Sequence, residues 1–270
     1  MPQFSIIMCN YNYGSYIAQS IQSVLDQSLP DFELIIVDDG SADDSHEVIR
    51  SFDDSRIKTI FKENGGQASA FNEGFAIAQG SWLALIDSDD WWLPTKLERV
   101  SQYAELIGDG YAMVQHFLDE WCDGATRPYR YVRPIGNVWQ DMLTTKGLDY
   151  FVPTSGLTFP LAIAEKVFPI PLSFWYSADA FLMRTVVAYG KLFTIPEALG
   201  YRRVHDKSFT STVLREKGRL RSLLIPELNK FYAGKGLPLK FELGLPKSAD
   251  QTRLAGLGRR LLKKIGMNRL

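Results

Sequence analysis

Two acidic clusters, each following directly on an apolar run, hold the groups in this chain best suited to chemistry. The first reads Leu34-Ile35-Ile36-Val37-Asp38-Asp39-Gly40-Ser41 and the second Trp82-Leu83-Ala84-Leu85-Ile86-Asp87-Ser88-Asp89-Asp90. A short apolar run bounded by turn residues reads as a buried strand of a parallel sheet. Carboxylates just beyond it then sit at the sheet's carboxyl edge, where open α/β sheets bind ligands. Two such edges bring several carboxylates into one crevice. At ~4 Å and an effective dielectric of about 20, each like-charge pair costs ~4 kcal/mol. A divalent cation with oxygen ligands removes that cost and can hold phosphate oxygens. The chemistry expected is therefore a site for a metal and a phosphorylated ligand.

The elements that must position these residues alternate over the first hundred positions. Phe4 to Met8 is a strand candidate ending in the polar turn Asn10-Tyr11-Asn12-Tyr13-Gly14, and Ile17, Ile21, Val24 and Leu25 recur at helical spacing in a helix that stops before Pro30. Glu33 to Val37 is a second strand, and Ser41, with Asp43 and Asp44, offers N-cap chemistry to a helix carrying Val48 and Ile49. Ile57 to Phe61 is a third strand, and a helix over Ala68 to Ala78 is expected to close on Gly80. Trp82 to Ile86 is a fourth strand, and Pro94 suits the opening of a helix through Leu97, Val100 and Tyr103. Such alternation means βαβ units, right-handed crossovers and a mainly parallel central sheet flanked by helices. Beyond residue 105 the pattern is less regular: Tyr111 to Phe117, Ser155 to Phe159 and Ala198 to Val204 read as strands, Gly124 to Pro134 as a loop, and Asp179 to Tyr189 as a helix.

Composition bounds the function. The chain has 270 residues, 46% hydrophobic and 23% charged, with a formal net charge of −1, ordinary for a globular protein and without a global sign of nucleic-acid binding. No stretch of about 18 apolar residues occurs, and Met1-Pro2-Gln3-Phe4-Ser5 runs into a strand without a basic leader, so neither a spanning helix nor a signal peptide is expected. Cys9 and Cys122 stand alone without a CxxC spacing, which reads as two small hydrophobes in a reducing, cytoplasmic compartment. The tail is different. Arg253, Arg259, Arg260, Lys263, Lys264 and Arg269 carry +6 with no acid after Asp250, leaving about −7 on the rest. Leu254, Leu257, Leu261 and Ile265 share one helical face largely opposite the basic residues, the profile of a helix lying on an anionic membrane surface and equally of a packed terminal helix with a solvated face.

Taken in order, Asn10-Tyr11-Asn12, Val37-Asp38-Asp39-Gly40-Ser41, Asn64-Gly65-Gly66 with Asn72, and Asp87-Ser88-Asp89-Asp90 followed by Trp92-Leu93-Pro94-Thr95-Lys96-Leu97 resemble the nucleotide-sugar-binding half of the family 2 glycosyltransferases with the GT-A fold. The resemblance is dense over residues 4 to about 105 and thins out to about 210. It implies a GT-A domain over 1–210, with a donor half over 1–105 and an acceptor half over 106–210, followed by a helical, basic amphipathic tail over 211–270. The implied function is inverting transfer of a sugar from a nucleoside diphosphate sugar, with UDP favoured, to a hydroxyl of a glycan or lipid-linked glycan in cell-surface polysaccharide synthesis. The implied cofactor is Mn²⁺ or Mg²⁺, and the tail would rest on the inner face of the membrane.

Residue by residue, the resemblance implies that Tyr11, with Asn12 beside it, lies against the nucleobase and that Asp39 accepts the base's ring N–H. Gly65 and Gly66 would let backbone approach the ligand, with Asn72 behind them. Asp87-Ser88-Asp89 would be the DxD signature, Asp87 facing ribose or metal-bound water and Asp89 ligating the cation. Lewis-acid help to the departing diphosphate follows from such a cation. The sequence departs from the family at Cys9-Asn10, where Pro-Thr is usual, and at Ala70-Phe71, where a basic residue often precedes the asparagine. Ser177-Ala178-Asp179-Ala180-Phe181-Leu182-Met183-Arg184 resembles the segment carrying the family's catalytic base, without its glutamate, so Asp179 would take the acceptor proton; an N-cap role also explains its position. Gly200-Tyr201-Arg202-Arg203-Val204-His205 resembles the Tyr-Arg…His segment, in which Arg202 faces phosphate and His205 adds a metal ligand, against the plain alternative of a hydrogen-bonded imidazole.

Other residues read as structural: Trp91 and Trp92 below the metal loop, Asp43 and Asp44 as caps, the Arg127-to-Arg133 cluster as a solvated loop, and Trp175 and Tyr176 as core or acceptor border. Two further functions remain open at this point. A sugar-phosphate nucleotidyltransferase would open with a Gly-rich, basic loop where Cys9-Asn10-Tyr11-Asn12-Tyr13 stands, and a non-catalytic nucleotide-sugar-binding relative would fit the missing glutamate before Asp179. A dehydrogenase is disfavoured, because no GxGxxG follows a strand.

Overall fold

The computed structural model describes residues 1–128, 135–138, 151–206 and 217–237. Strands β1 (Phe4–Asn10), β2 (Phe32–Asp38) and β4 (Trp82–Asp87) are almost entirely buried and pair in parallel, with β3 (Ile57–Phe61) beyond β2. Burial on both faces explains why these strands read as continuous apolar runs. Successive side chains point to opposite faces. Phe4, Ile6, Met8, Leu34 and Ile36 accordingly pack with Ile17, Ile21 and Val24 of α1 (Gly14–Leu25) and with Leu97, Val100 and Tyr103 of α4 (Lys96–Ile107). Ile7, Leu83 and Leu85 pack on the other side with Ala68 and Phe71 of α3 (Gln67–Ala76).

The parallel register does the first positioning step. Asn10 pairs with Asp38, and Cys9 with Asp87, so the polar ends of β1, β2 and β4 lie side by side at one sheet edge. The second half of the chain extends the same sheet rather than forming a separate layer. Its order runs β3-β2-β1-β4-β8-β6-β9-β5, with β8 (Leu157–Pro160) antiparallel to both β4 and β6 (Tyr111–Cys122), and β9 (Lys191–Arg203) parallel to β6. The two-residue strand β5 (Trp91–Trp92) pairs with Tyr201 and Gly200, which delivers the end of β9 to the acidic loop after β4. The sheet is thus parallel in the first half and mixed beyond it. A short antiparallel partner, β7 (Ala125–Arg127), extends β6.

Several boundaries differ from the sequence expectation, each for a tertiary reason. Helix α3 ends at Ala76, and Gly80 is not its C-terminal cap: the Gly80 N–H donates to Ser5 Oγ at 2.7 Å, and a Cβ there would lie 2.4 Å from Ser5 N. Ser41 does not cap α2 (Ser45–Arg50); the Asp43 carboxylate takes the N–H of Ser45, while Ser41 serves the loop before it. Strands β6 and β9 are longer than expected because they pair with each other over most of their length. The helix expected over 179–189 is α6 (Ala178–Val186), after the short α5 (Leu161–Ala164). Helix α7 (Lys217–Gly234) places Leu224, Leu228 and Tyr232 in the core with Phe181 and Leu182 of α6, and Tyr232 donates its hydroxyl to Arg184 O at 2.9 Å. The basic segment 253–269 and the cluster's Arg130 and Arg133 lie outside the described residues. Among the described residues no helix is long and apolar enough to cross a membrane.

Candidate active site

Asp38 and Asp39 follow β2 and have separate tasks. Asp38 is buried and accepts bonds from Asn10 Nδ2 (2.8 Å), the Ser41 N–H (2.8 Å) and Ser41 Oγ (2.7 Å), with His46 Nε2 also 2.8 Å away. Burial pushes its carboxyl up, but these donors outweigh it and hold Asp38 below the usual range. Asp39 faces the other way. Its Oδ1 accepts from Lys62 Nζ (2.7 Å) and the Gly65 N–H (2.9 Å), and its Oδ2 from the Gly66 N–H (2.7 Å). A carboxylate offers about four acceptor positions, so among the described residues three are filled and one is open.

The acidic loop after β4 brings Asp87, Asp89 and Asp90 together, with ligand-capable atoms all within 4.8 Å of one another. Around it, Ser20 Oγ donates to the carbonyls of Ser88 (2.7 Å) and Asp90 (2.5 Å), and Arg203 Nε to the Asp89 carbonyl (3.0 Å). The Arg203 guanidinium is wedged between the rings of Tyr16, Trp91 and Trp121. Burial, then the neighbouring carboxylates Asp90, Asp89 and Asp179, push Asp87 well above the ordinary range; burial and Asp89 push Asp90 up to about 8. The crowding anticipated from sequence is therefore realised. His205 Nε2 lies 3.0 Å from Asp89 Oδ2, while its Nδ1 and the buried Ser88 Oγ have no hydrogen-bond partner among the described residues. The three clustered carboxylates and the unspent Ser88 Oγ suit a divalent cation such as Mn²⁺ or Mg²⁺, while His205 stands outside that group and the cavity lining and meets it through Asp89.

Asp179 stands in the first turn of α6, and Ser177, not Asp179, is the N-cap residue. Thr154 Oγ1 donates to Asp179 Oδ2 at 3.2 Å, and burial raises its pKa. One cavity of about 420 Å³ is lined by Tyr11, Asp39, Gly66, Asp87, Ser88, Asp89, Asp179 and Arg202. The two acidic edges and the third carboxylate thus share a single space.

Three expected donor residues have other duties. Asn12 is at φ 57°, donates its backbone N–H to Ser41 Oγ (2.8 Å) and accepts the Ala42 N–H (2.8 Å), so it shapes the loop and does not line the cavity. Asn72 clamps Ile170, donating to its carbonyl at 2.9 Å and accepting its N–H at 2.8 Å. Gly65 is also outside the lining, and both glycines act through their amides on Asp39. Gly66 is at φ 81°, and a Cβ there would lie 2.6 Å from Trp175 O, so the close approach of Trp175 requires glycine at this position.

The sequence profile of Glycosyl transferase family 2 matches residues 5–160. The chain belongs to that family. Among its relatives, an uncharacterized glycosyltransferase, alr2836, of Nostoc sp. is 39% identical over 215 residues, 75% of this chain and 65% of that protein. A UDP-Glc:alpha-D-GlcNAc-diphosphoundecaprenol beta-1,3-glucosyltransferase, WfgD of Escherichia coli, is 43% identical over 95 residues, 35% of this chain and 38% of that protein. The chain spans less than two thirds of the length of these relatives. Among solved structures, S. aureus TarS 1-349 in complex with UDP-GlcNAc superimposes with a TM-score of 0.63 at 17% identity, covering 86% of this chain and 73% of that one. The mannosyltransferase PcManGT of Pyrobaculum calidifontis, in complex with GDP-Man and Mn2+, gives 0.60 at 14% identity, covering 98% and 83%. The fold of this family 2 chain is the GT-A type, a mixed sheet with flanking helices.

Sequence reasoning left several lining or supporting residues without a role. Asp90 was visible in the acidic run, and Arg203 stands beside Arg202. Ser155 and Thr154, in a 3-10 turn (Thr154–Gly156) before β8, carry no local signal at all. Cys9 lines the cavity, where burial and then the charges of Asp87 and Asp39 push its thiol well up; it is a protonated, inert wall, as expected of a small hydrophobe.

Proposed function

We propose that this chain transfers a sugar, with inversion, from a nucleoside diphosphate sugar to a hydroxyl acceptor, and that the nucleoside is uridine. The observation carrying this reading is the single cavity lined by Asp39, Asp89 and Asp179. Tyr11, about half exposed, offers a flat face to the base, and the unfilled acceptor position of Asp39 suits a ring N–H. Arg202 lines the same space and supplies positive charge toward the diphosphate. Asp89, Asp87 and His205 would hold Mn²⁺ or Mg²⁺, which when bound supplies neutralisation of the charge on the departing diphosphate.

Asp179 accepts the acceptor's proton as the acceptor oxygen bonds to the anomeric carbon and the bond from that carbon to the diphosphate breaks. Burial makes its carboxylate more basic than one in water, which favours this role at neutral pH. Thr154 fixes its orientation from one side. The names of the relatives support the finer assignments. TarS is solved with UDP-GlcNAc, and WfgD is named for transfer to a diphosphoundecaprenol-linked sugar, so a glycan acceptor on a lipid carrier, in cell-surface polysaccharide synthesis, is the acceptor proposed. The basic segment 253–269 would then hold the enzyme at the anionic surface where that carrier resides.

The test is a donor panel read by nucleoside diphosphate release, with Mn²⁺ and with chelator. UDP release that needs the metal, and that Asp179→Asn abolishes while UDP still binds, supports the assignment. Turnover independent of Asp179 would overturn it.

A further inference from the structure

Gln67 opens α3 directly after the two glycines whose amides bond Asp39, and it lines the cavity. Its backbone N–H donates to Trp175 O at 2.7 Å, and the N–H of Ala68 donates to Phe174 O at 3.2 Å. Its side chain reaches across 111 positions: Gln67 Oε1 accepts the N–H of Ala178 at 2.8 Å. Ala178 is the first residue of α6, and Asp179 is the second.

The first amides of a helix have no partners within it and need an acceptor from outside. The chain beside α6 serves the amide of Ala180 through the Ser177 carbonyl at 3.0 Å, but the Ser177 side chain makes no capping bond. Ser177 also sits at φ 56° and ψ 35°, a left-handed conformation that costs a non-glycine residue and persists only when its surroundings impose it. Gln67 caps the first amide of α6, that of Ala178. There is little slack at the other end, because a Cβ on Gly66 would lie 2.6 Å from Trp175 O and 2.7 Å from its Cα. A continuous path therefore runs from Asp39 by hydrogen bonds to the Gly65 and Gly66 amides, along the peptide link to Gln67, and by a hydrogen bond from Gln67 to the helix that carries Asp179.

We propose that Gln67 is a positioning residue that couples occupancy of the nucleotide pocket to the placement of Asp179. This rests on the reading above, in which Asp39 receives the nucleobase and Asp179 the proton. A nucleobase donating to Asp39 stiffens the glycine turn, and Gln67 passes that order to the amide of Ala178. Such coupling must be reciprocal, so ordering of α6 also favours nucleotide.

The test compares the wild type with Gln67→Met, which keeps the length but loses the acceptor, and Gln67→Glu, which keeps an acceptor oxygen. The first readout is amide hydrogen exchange over residues 177–183, alone and with UDP plus Mn²⁺. In the wild type UDP slows this exchange about threefold; in Gln67→Met the unliganded exchange is faster and UDP no longer slows it, while UDP affinity falls by no more than that factor, as reciprocity requires. The second readout is turnover of whichever donor the panel identifies: kcat falls about tenfold or more in Gln67→Met at nearly constant donor KM, and Gln67→Glu recovers most of both effects. UDP-dependent protection that survives in Gln67→Met, a loss of UDP affinity of about tenfold or more, or failure of Gln67→Glu to rescue would overturn the proposal. If UDP fails to bind the wild type, the nucleotide reading itself falls. The hold of Gln67 on α6 is then read from unliganded exchange at Ala178 alone, and equal rates in wild type and Gln67→Met overturn that too.

Discussion

The hydroxyl of Ser155 lies 2.5 Å from Asp90 Oδ2 and donates to it. The same oxygen accepts the backbone N–H of Asp87 at 3.0 Å, and the Ser155 carbonyl accepts Trp92 Nε1 at 2.7 Å. One serine from the second half thus ties both ends of the acidic loop. Removing a donor from a buried carboxylate costs about 1.5–3 kcal/mol, and losing support behind metal ligands commonly costs 10- to 100-fold in affinity, on the order of the effect expected here. Ser155→Ala is expected to unfold at lower urea and to bind Mn²⁺ at least about tenfold more weakly. Denaturation curves and a metal titration check both; unchanged Mn²⁺ affinity would show that the loop holds its shape alone.

Asp89→Asn separates stability from function. Asp89 contributes to the upward push on both Asp87 and Asp90, so the metal-free wild type must either bear their repulsion or take up protons to relieve it. In chelator the variant is expected to melt a few degrees higher than wild type, about 1 kcal/mol or more of stabilisation. With Mn²⁺ at about 100 times its Kd, wild type gains about 2.7 kcal/mol and the variant gains little. Calorimetric melting with and without metal reads the crossover, and a variant less stable in chelator would contradict it.

How far the sequence announces this site depends on how local each feature is. Strands β1, β2 and β4 were legible because burial on both faces writes an unbroken apolar run, and the acids after them mark the sheet edge whatever else the chain does. Asp179 was legible through the family pattern around it. Ser155, Thr154 and Gln67 were not, because their partners Asp90, Asp179 and Ala178 are 65, 25 and 111 positions away and meet only through the sheet and the helices packed on it. Asn72 lies behind the glycines on α3, as the motif implies, but its amide partner, the backbone of Ile170, is 98 positions away and no local pattern announces it. Gly80 failed as a helix stop for the same reason, since its lack of a side chain serves β1 instead.

Asp39 is predicted to act through loop order as much as through its own contact with a base. Asp39→Asn keeps the size but replaces one acceptor oxygen with a donor, which opposes an N–H of Gly65 or Gly66. Each orphaned buried donor costs about 1–3 kcal/mol, so UDP affinity should fall at least about tenfold. Because the glycines lead into Gln67, the 177–183 segment should also exchange faster in this variant without any ligand. Calorimetric titration of UDP checks the first effect, and amide exchange the second.

His116, which does not line the cavity, sets an acid limit on the fold. It is fully buried, its Nδ1 lies 2.8 Å from the carbonyl of Phe117, and its Nε2 has no hydrogen-bond partner among the described residues. Burial, then the nearby Lys96, push its pKa down to about 3. The unfolded chain binds a proton near the ordinary histidine value of about 6.5, so between those limits it holds a proton that the folded chain refuses. Stability must therefore fall as pH drops from 7 toward 3, by about 2 kcal/mol between pH 7 and pH 5 from this group alone. Lys96 works in the same direction at higher pH: it is fully buried over the Trp92 ring, its Nζ is 3.3 Å from Thr158 Oγ1, and burial holds it well below its usual value. The unfolded lysine takes up a proton below about 10.5, so this contribution also weakens as pH falls. His116→Asn should flatten the pH 5 to 7 segment of the stability curve, and Lys96→Met should raise stability at pH 7 by removing a buried amine that prefers water. Urea denaturation at pH 5, 6 and 7 decides the matter; a wild type and a His116→Asn variant with parallel slopes would mean that His116 carries its proton in the folded protein.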